Sequence, residues 1–321
     1  MLVTGASGLV GSHIVKLLLQ NGYHVGILSR ENSNLELLRD VVNSITIHHG
    51  DILDSSNHKD IILEYDTVVH CAAIVSYAPH RFDEMYQINV EGTRYIVDEC
   101  LAQNKRLIFI SSIAALGTSK NEVIDETAKW DETEPTTFYS KTKYLSEIEV
   151  WRGIEEGLNA IIFNPSVVLG KGDLDKSSSK LFSYVKNGGK YYTEGKLNYV
   201  SADDVATLVV KCLNKPQSWG KRYIVNSENV TYKDFFISIA NAYGVKAPNK
   251  KVSDTLAAII WRYEKLKYWL TRKEPLITKE TVQLSKRIKT FDNSLSIREF
   301  GIQYEKLEKI ISKVCKKTEV Q

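Results

Sequence analysis

The chain opens on the stretch Leu2-Val3-Thr4-Gly5-Ala6-Ser7-Gly8-Leu9-Val10-Gly11, and this stretch decides its fold. A short apolar strand leads into it, and an amphipathic helical pattern over Gly11–Asn21 follows it. Gly5 permits a tight turn, Gly8 lets the backbone approach a phosphate without a Cβ clash, and Gly11 allows close helix–sheet packing. Backbone N–H groups at the positive helix end then hold phosphates. Plain turn glycines are the alternative interpretation, but the strand–turn–helix context favours a dinucleotide site formed by Gly5, Ser7, Gly8, Leu9, Val10 and Gly11.

The rest of the first two-thirds of the chain alternates β-rich runs with helical patterns. The strand candidates, several of them continuously apolar, are Leu2–Thr4, His24–Ser29, Ile45–His48, Thr67–His70, Arg106–Ser111, Ala160–Phe163 and Arg222–Val225. Helical periods lie between them at Gly11–Asn21, Met85–Asn104 and Ser140–Glu156. Apolar strands that alternate with helices are typical of a sheet covered on both faces. The sequence therefore predicts the α/β class, with a Rossmann-type, doubly wound parallel sheet and right-handed crossovers.

From about Gly170 the pattern changes, which predicts a smaller, mostly helical substrate-binding lobe. It begins with the polar loop Asp173–Lys180 and includes a Tyr-rich stretch and a helical, basic tail. We assign residues 1–169 to the dinucleotide-binding domain, with 200–228 returning to it, and residues 170–199 and 229–321 to the lobe. Such a lobe is expected to cover the carboxyl edge of the sheet, where ligands bind in these folds.

Composition excludes several other classes of protein. Apolar residues make up 43% and charged residues 25%, and the net charge of +3 is too small to indicate nucleic-acid binding. No signal peptide precedes the first motif, and no apolar run approaches the ~20 residues of a membrane span, so we expect a cytoplasmic protein without a transmembrane segment. The four cysteines are scattered without metal-ligand spacing, which predicts reduced thiols and no metal.

The residue after the second predicted strand bears on the choice of dinucleotide. An acid there would bond the ribose 2′-hydroxyl, whereas Ser29 and Arg30 stand at this position. A guanidinium can bind a 2′-phosphate through two hydrogen bonds and stack on adenine, although a solvated surface arginine is the alternative. The sequence thus favours NADP, with NAD as the other candidate. Asp51 and Ile52 are placed to touch the adenine, and Cys71, Ala72 and Ala73 supply small side chains beside the cofactor.

A serine, a tyrosine and a lysine form the candidate catalytic set. Ser111 and Ser112 end the fifth predicted strand, and Tyr139 and Lys143 lie at i and i+4 near the start of a predicted helix. Residues four apart share one helical face. A tyrosine has an ordinary pKa near ~10, so a nearby cation that stabilises the phenolate makes it a better acid–base at neutral pH. We expect Lys143 to lower the pKa of Tyr139 and Ser112 to hold the substrate oxygen.

Several motifs in this order resemble the extended short-chain dehydrogenase/reductase family: TGASGLVG, HCAA, INVEGT, ISSIAALG, YSKTK, NPSVVLGKGD and YVSADDVA. Three stretches look closest to its dihydroflavonol-4-reductase-like branch, namely Arg30–Leu35, Asn164–Asp173 and Glu274–Glu280. The resemblance implies Ser112, Tyr139 and Lys143 as catalytic residues.

The same resemblance implies further roles. Asn89 would be a supporting catalytic residue, although a helix residue that bonds backbone is an equal alternative. Pro165 and Val168 would lie beside the nicotinamide. Members of the family often form homodimers through the helices that correspond here to Met85–Asn104 and Ser140–Glu156.

Three functions remain open at this level. The first is an NADP(H)-dependent oxidoreductase that interconverts a carbonyl and an alcohol on a small molecule. The second is a nucleotide-sugar epimerase with tightly held NAD, and the third is a non-catalytic dinucleotide-binding protein. The complete Ser112, Tyr139 and Lys143 set weakens the third. A dehydratase is disfavoured because Ile113, Ala114 and Ala115 replace the Asp-Glu pair of dehydratases that resemble this family.

The lobe and two acidic residues carry weaker signals. Four tyrosines are able to pack on an apolar substrate but are more often core: Tyr184, Tyr191, Tyr192 and Tyr199. A basic, aromatic helical pattern over Leu256–Leu270 could lie on a membrane surface, whereas a packed helix of the lobe is the favoured interpretation. Asp203-Asp204 have no metal-ligand partners nearby, so an Asp capping a helix over Val205–Asn214 is expected.

Overall fold

The computed structural model describes residues 1–117, 123–134, 136–172, 177–271, 278–286 and 288–315. Parts of three stretches singled out in the sequence lie outside these ranges. They are residues 173–176 of the polar loop, residue 173 at the end of Asn164–Asp173, and residues 274–277 of Glu274–Glu280.

The strands follow the chain in the order β1 (Leu2–Thr4), β2 (Gly26–Ser29), β3 (Thr46–His49), β4 (Thr67–His70), β5 (Arg106–Ile110), β6 (Val123–Ile124), β7 (Ala160–Pro165), β8 (Val167–Leu169), β9 (Tyr191–Tyr192), β10 (Lys196–Ser201), β11 (Arg222–Val225), β12 (Glu228–Thr231), β13 (Lys250–Lys251) and β14 (Thr290–Phe291). The α-helices are α1 (Leu9–Gln20), α2 (Ser55–Leu63), α3 (Phe82–Tyr86), α4 (Gly92–Ala102), α5 (Phe138–Glu155), α6 (Lys180–Lys186), α7 (Ala202–Cys212), α8 (Tyr232–Tyr243), α9 (Asp254–Thr271), α10 (Lys279–Leu284), α11 (Ser294–Phe300) and α12 (Leu307–Cys315).

The seven predicted strands pair into one sheet in the order β11-β7-β5-β4-β1-β2-β3. Every neighbouring pair in it is parallel. The strand order reverses at β1, so the carboxyl ends of β1 and β4 border the crevice where ligands bind in such sheets. The predicted Rossmann-type α/β fold is confirmed.

Strand β1 has only three residues, yet it forms the centre of this sheet. Leu2, Val3 and Thr4 are fully buried and pair with β2 on one side and β4 on the other. The pairing with β2 begins at Met1, whose carbonyl accepts a hydrogen bond from the Gly26 amide at 2.9 Å. A strand this short suffices because its apolar side chains are covered by helices on both faces.

Two predicted boundaries are corrected by the structure. Strand β5 ends at Ile110, so Ser111 and Ser112 follow it rather than close it. The single helix predicted over Met85–Asn104 is interrupted by a π-helical segment, Gln87–Glu91, between α3 and α4. The Asn89 carbonyl accepts hydrogen bonds from the hydroxyls of Thr93 and Ser146, which compete with the regular helical ladder.

The lobe is built on a second, three-stranded sheet in the order β12-β10-β8. Its core is formed by Leu169, Phe182, Val185, Leu197, Tyr199, Phe235, Phe236, Ile239, Ala240, Leu307, Ile310, Ile311 and Val314. The packing differs from the proposed division of the chain near both boundaries. Strand β8 and Leu169, within residues 1–169, belong to the lobe. Phe300 and Ile302, in the segment assigned to the lobe, belong to the core of the large sheet instead, where Phe300 packs edge-on against Phe163.

The expected cap of the helix after β10 is wrong in its residue. Ser201 caps α7, and its hydroxyl accepts a hydrogen bond from the Asp203 amide at 3.1 Å. Asp203 instead bonds His13 Nδ1 at 2.7 Å and Lys313 Nζ at 2.5 Å, and Asp204 accepts from the Glu305 amide at 2.9 Å. Both carboxylates therefore fasten α7 to other parts of the chain rather than cap it.

Candidate active site

The glycine turn between β1 and α1 has the geometry that a phosphate site requires. Gly5 adopts a left-handed φ of +68°, and a Cβ there would lie 2.6 Å from the Ala72 amide nitrogen. A Cβ on Gly11 would lie 2.3 Å from the Gly5 carbonyl oxygen, so this glycine is required by packing. Gly8 is exposed, with only the Gly5 carbonyl oxygen within 3.3 Å of such a Cβ. No side chain caps helix α1 at Gly8, which leaves its first N–H groups open to an anion.

The residues expected around the adenine end lie at the carboxyl ends of β2 and β3. Arg30 directly follows Ser29, the last residue of β2, and its side chain is exposed. The Asp51 carboxylate accepts a hydrogen bond from the Leu53 amide at 3.0 Å within its own turn. Ile52 is buried and packs against Gly92, where its Cδ1 would lie 2.5 Å from an added Cβ. Their contacts with an adenine remain predictions.

The segment after β4 lies directly against the glycine turn. The Ala72 amide donates to Thr4 Oγ1 at 3.3 Å, and the Cys71 amide donates to the Thr4 carbonyl at 3.2 Å. His70 is fully buried and hydrogen-bonded to the hydroxyls of Thr4 and Thr93, and burial lowers its pKa to about 3. The His70 imidazole that contacts Thr4 is therefore uncharged at neutral pH. Burial also raises the pKa of the Cys71 thiol to about 12, so this thiol is protonated at neutral pH.

The structure brings the predicted catalytic set together at the carboxyl end of β5. Tyr139 lies in the first turn of α5, and its hydroxyl is hydrogen-bonded to the side chain of Ser112. Ser112 is held in an extended conformation, and its carbonyl accepts a hydrogen bond from Asn164 Nδ2 on β7 at 3.0 Å. One turn further along α5, the Lys143 side chain is only 2% exposed and donates to the Ile110 carbonyl at 3.1 Å.

The titration of this set differs in part from the expectation. Burial raises the pKa of Tyr139 to about 12, and the hydrogen bond with Ser112 opposes this only in part. The lowered pKa predicted from the sequence is therefore not what the structure gives. Burial lowers the pKa of Lys143 to about 8, while the neighbouring Glu147 raises it. At neutral pH the tyrosine is thus protonated and most of the lysine is charged.

Asn89 lies behind this set, and its side-chain amide is hydrogen-bonded to two other segments of the chain. Its Oδ1 accepts from the Ile74 amide at 2.7 Å, and its Nδ2 donates to the Ile74 carbonyl and to Thr142 Oγ1, each at 3.0 Å. The side chain is 1% exposed. These contacts join the segment after β4 to helix α5. They favour the interpretation of Asn89 as a positioning residue, and a direct catalytic role remains a prediction.

Glu147 is a buried acid in the site that the sequence interpretation missed. It lies four residues after Lys143 on α5 and accepts hydrogen bonds from Ser111 Oγ at 2.8 Å and Asn164 Nδ2 at 2.7 Å. Its other carboxylate oxygen pairs with Arg222 Nη1 at 3.0 Å. The signal available in the sequence was its i+4 spacing from Lys143, which places an acid on the face of α5 that faces the sheet.

The remaining predicted site residues lie around this centre. Pro165 ends β7 and is buried, and Val168 lies on β8 with its carbonyl accepting from Ser178 Oγ at 2.5 Å. In the lobe, Tyr199 is fully buried and donates to Glu228 at 2.5 Å, so it serves the lobe core. Tyr184 donates to the Tyr191 carbonyl at 2.9 Å on the protein surface. Direct contacts of these residues with a substrate or cofactor remain predictions.

In the described part of the chain, no group of three or more His, Cys, Asp or Glu residues is arranged to hold a metal ion. Nor does any helix within the described ranges have the length and apolar character needed to cross a membrane. All four cysteines are described, and each is a free thiol.

Comparison with known proteins gives the class of this one. Residues 1–226 match the NAD dependent epimerase/dehydratase family, and the chain belongs to this family. It is an NAD(P)-dependent oxidoreductase. The resemblance to extended short-chain dehydrogenases and to the dihydroflavonol-4-reductase-like branch is confirmed.

Relatives are similar over most of the chain. Sterol demethylase protein B of Methylococcus capsulatus is 26% identical over 306 residues, covering 94% of this chain and 92% of that protein. A Synechocystis protein provisionally named dihydroflavonol 4-reductase is 26% identical, covering 97% and 92%. Cinnamoyl-CoA reductase 2 of Medicago truncatula is 31% identical, covering 64% and 65%.

Solved structures share the fold over nearly the whole chain. The crystal structure of gox2253 has a TM-score of 0.83 and 29% identity, covering 98% of this chain and 96% of that one. WbmH of Bordetella bronchiseptica, solved in complex with NAD+, has a TM-score of 0.74 over the same shares of the chains. At 19% identity this second similarity concerns the fold alone.

Proposed function

We propose that this chain is an NADP(H)-preferring reductase that interconverts a carbonyl and an alcohol on a small molecule. The observation that carries the proposal is the hydrogen bond between Tyr139 and Ser112, beside the buried ammonium of Lys143. Relatives named for dihydroflavonol and cinnamoyl-CoA reduction support the carbonyl as the reacting group.

The residues present fit a dinucleotide at the carboxyl edge of the sheet. The uncapped end of α1 and the space above Gly8 suit a pyrophosphate, and the exposed Arg30 suits a 2′-phosphate. When bound there, NADPH would supply the hydride for the reduction. Ala72 and Ala73, in the segment that lies against the glycine turn, have small side chains.

The three side chains divide the proton chemistry between them. In reduction, the carbonyl oxygen gains negative charge and needs a proton. Tyr139 is protonated at neutral pH because burial raises its pKa to about 12, so it can donate that proton. The phenolate that it leaves lies one helical turn from Lys143, whose positive charge stabilises it. Ser112 orients the substrate oxygen by a hydrogen bond, and Asn164 holds Ser112 in place.

Replacement of the tyrosine tests the assignment. In a panel of aromatic and aliphatic ketones and aldehydes, followed by the loss of NADPH absorbance, we expect Tyr139→Phe to lower kcat by roughly 10²–10⁴-fold. NADPH affinity measured by cofactor fluorescence should be retained, which separates lost proton transfer from lost binding. Full turnover in Tyr139→Phe would contradict the proposal. Tightly retained NAD after gel filtration would favour the epimerase instead.

A homodimer is proposed as well. The helices named for it in the sequence carry exposed apolar side chains, Tyr86 on α3 at 37% and Ile148 on α5 at 41%. Two copies that pack these helices together would cover both side chains. Light scattering after size exclusion should give twice the chain mass, and Ile148→Asp should shift it to the monomer. A monomeric native protein would contradict this proposal.

A further inference from the structure

Helix α9 turns an apolar, aromatic face outward. Five of its side chains are between 56% and 68% exposed, namely Ile259, Tyr263, Leu266, Trp269 and Leu270. Ile259, Tyr263, Leu266 and Leu270 are spaced by four, three and four residues, which aligns them along one side of the helix. We call these five residues the α9 stripe. Monomeric proteins rarely leave so many large apolar side chains together in water, so the stripe indicates a surface that is covered in use.

The opposite side of α9 packs on the protein and fixes the orientation of the stripe. Ala257 and Glu264 are buried on that side. Tyr268 stacks on His80, with ring centroids 5.6 Å apart, and its hydroxyl is hydrogen-bonded to His80 Nδ1 at 2.9 Å. The face of α9 opposite the stripe therefore packs on the protein, and this packing orients the stripe toward solvent.

Cations flank the stripe on both sides, and one of them, Lys267, pairs with Glu264 of the same helix. Arg262 and Lys265 are exposed on one flank, and Lys267 lies on the other, 43% exposed and 3.5 Å from Glu264. The two acids of α9 are Glu264, which is buried, and Asp254 at the first turn, which pairs with Lys286. The side chains of α9 that flank the stripe therefore carry a net positive charge. A complementary partner must offer both an apolar layer and negative charge.

We propose that α9 binds the surface of an anionic lipid bilayer, with the α9 stripe inserted at the level of the lipid headgroups. Aromatic and Leu/Ile side chains on one face with Lys and Arg beside them are the composition of interfacial helices. Long cationic side chains can extend to phosphate groups while their stems lie along apolar surface. A second copy of the chain fits less well, because a two-fold axis would bring the same positive flanks together.

The position of α9 gives this surface a relation to the active site. His80, which Tyr268 contacts, belongs to the segment between β4 and α3, the same segment that Asn89 fastens beside Tyr139. Tyr268 thus joins the inner face of α9 to this segment, and the α9 stripe lies on the opposite face of the helix.

Vesicle co-sedimentation tests the proposal with the full chain. We expect binding to vesicles of phosphatidylcholine mixed with phosphatidylglycerol, weak binding to pure phosphatidylcholine, and loss of binding as salt is raised. The double variant Leu266→Ser/Leu270→Ser should lower the partition coefficient by roughly tenfold or more. Arg262→Glu/Lys265→Glu should lower it by roughly fivefold or more for each cation replaced, on anionic vesicles only.

Matched controls come from helix α2, far from α9 in the chain. Leu63 is 63% exposed and Lys59 is exposed, so Leu63→Ser and Lys59→Glu remove the same groups from a surface without a stripe. They should bind vesicles as the native protein does, and circular dichroism melting should show that all variants fold. Failure of the native protein to sediment with anionic vesicles at low salt would overturn the proposal. So would a self-association in ultracentrifugation that the Leu266→Ser/Leu270→Ser variant abolishes while vesicle binding is unchanged.

Discussion

Glu147 and Arg222 form an ion pair at 3.0 Å in which the Glu147 side chain is only 3% exposed. The same carboxylate accepts hydrogen bonds from Ser111 and Asn164, and Asn164 in turn holds the carbonyl of Ser112. Arg222 also donates to the carbonyls of Glu126 and Ala128. A buried charge network therefore ties helix α5, with Tyr139 and Lys143, to strands β7 and β11 of the large sheet.

Removing the charge from this network should be costly. Glu147→Gln keeps the shape of the side chain but leaves Arg222 without its counter-charge, and breaking a buried pair costs about 3–5 kcal/mol. We expect that loss in the free energy of unfolding from urea titrations. The control is Glu84→Gln, which breaks the exposed Arg81–Glu84 pair and should cost less than about 1 kcal/mol. Equal losses in the two variants would show that the network is no more important than a surface pair.

Substitutions of Gly8 and Gly11 in the glycine turn test phosphate binding and helix packing separately. An added Cβ on Gly8 meets only one atom, at 3.3 Å, so Gly8→Ala should fold with its melting temperature within about 2 °C of the native protein. Its methyl group would nevertheless lie where a pyrophosphate approaches, and NADPH affinity should fall by roughly tenfold or more. Calorimetric titration measures the affinity.

The comparison variant is Gly11→Ala. Its Cβ would lie 2.3 Å from the Gly5 carbonyl oxygen, so the helix must move and the protein should lose at least about 2 kcal/mol of stability. If Gly8→Ala binds NADPH as tightly as the native protein, the phosphate site does not lie at this turn.

Arg30 should carry the preference for the phosphorylated dinucleotide. A hydrogen bond to a charged group contributes about 1.5–3 kcal/mol, so Arg30→Ala should lower the ratio of kcat/KM with NADPH to that with NADH by roughly tenfold to a hundredfold. Arg39 is 81% exposed, and Arg39→Ala is the matched loss of one surface guanidinium. An unchanged ratio in Arg30→Ala would show that Arg30 is a solvated surface residue that does not contact the 2′-phosphate.

The pH dependence of reduction should follow Lys143. Its pKa of about 8 means that the ammonium is present below pH 8 and is lost as pH rises through that value. The proton on Tyr139 is retained over this range, because its pKa is raised to about 12. We therefore expect kcat/KM for carbonyl reduction to fall above about pH 8 with a single ionisation. A profile that stays flat to pH 10 would contradict a role for the Lys143 charge.

The contribution of Lys143 to the free energy of unfolding should rise with pH, whereas its contribution to kcat/KM falls. Its folded pKa lies below the ordinary value of 10.5, so the unfolded chain holds this proton more tightly. Burying Lys143 therefore destabilises the folded protein least above pH 10.5, where the side chain is neutral in both states. The destabilisation grows as pH is lowered toward 8. Native protein should gain stability relative to Lys143→Met as pH rises from 8 to 10.5, as measured by urea unfolding across that range.

Features encoded by neighbouring residues could be predicted from the sequence by itself. The seven strands of the large sheet are predictable because buried strands are short apolar runs between helical periods. The glycine turn and the Tyr139–Lys143 spacing are predictable too, since a turn and an i,i+4 pair depend only on local backbone geometry. Local backbone rules do not specify which side chains from distant segments meet.

The tertiary structure decided the features that depend on those distant meetings. The role of Glu147 depends on its ion pair with Arg222, 75 residues away. That of Asn89 depends on its hydrogen bonds with Ile74 and Thr142. The raised pKa of Tyr139 follows from burial, which no spacing of residues reveals. Likewise, the pattern of α9 predicts an amphipathic helix, but only the packing of Tyr268 on His80 decides that its apolar stripe faces outward. Burial, and with it charge state and exposure, is set by the whole fold rather than by adjacent residues.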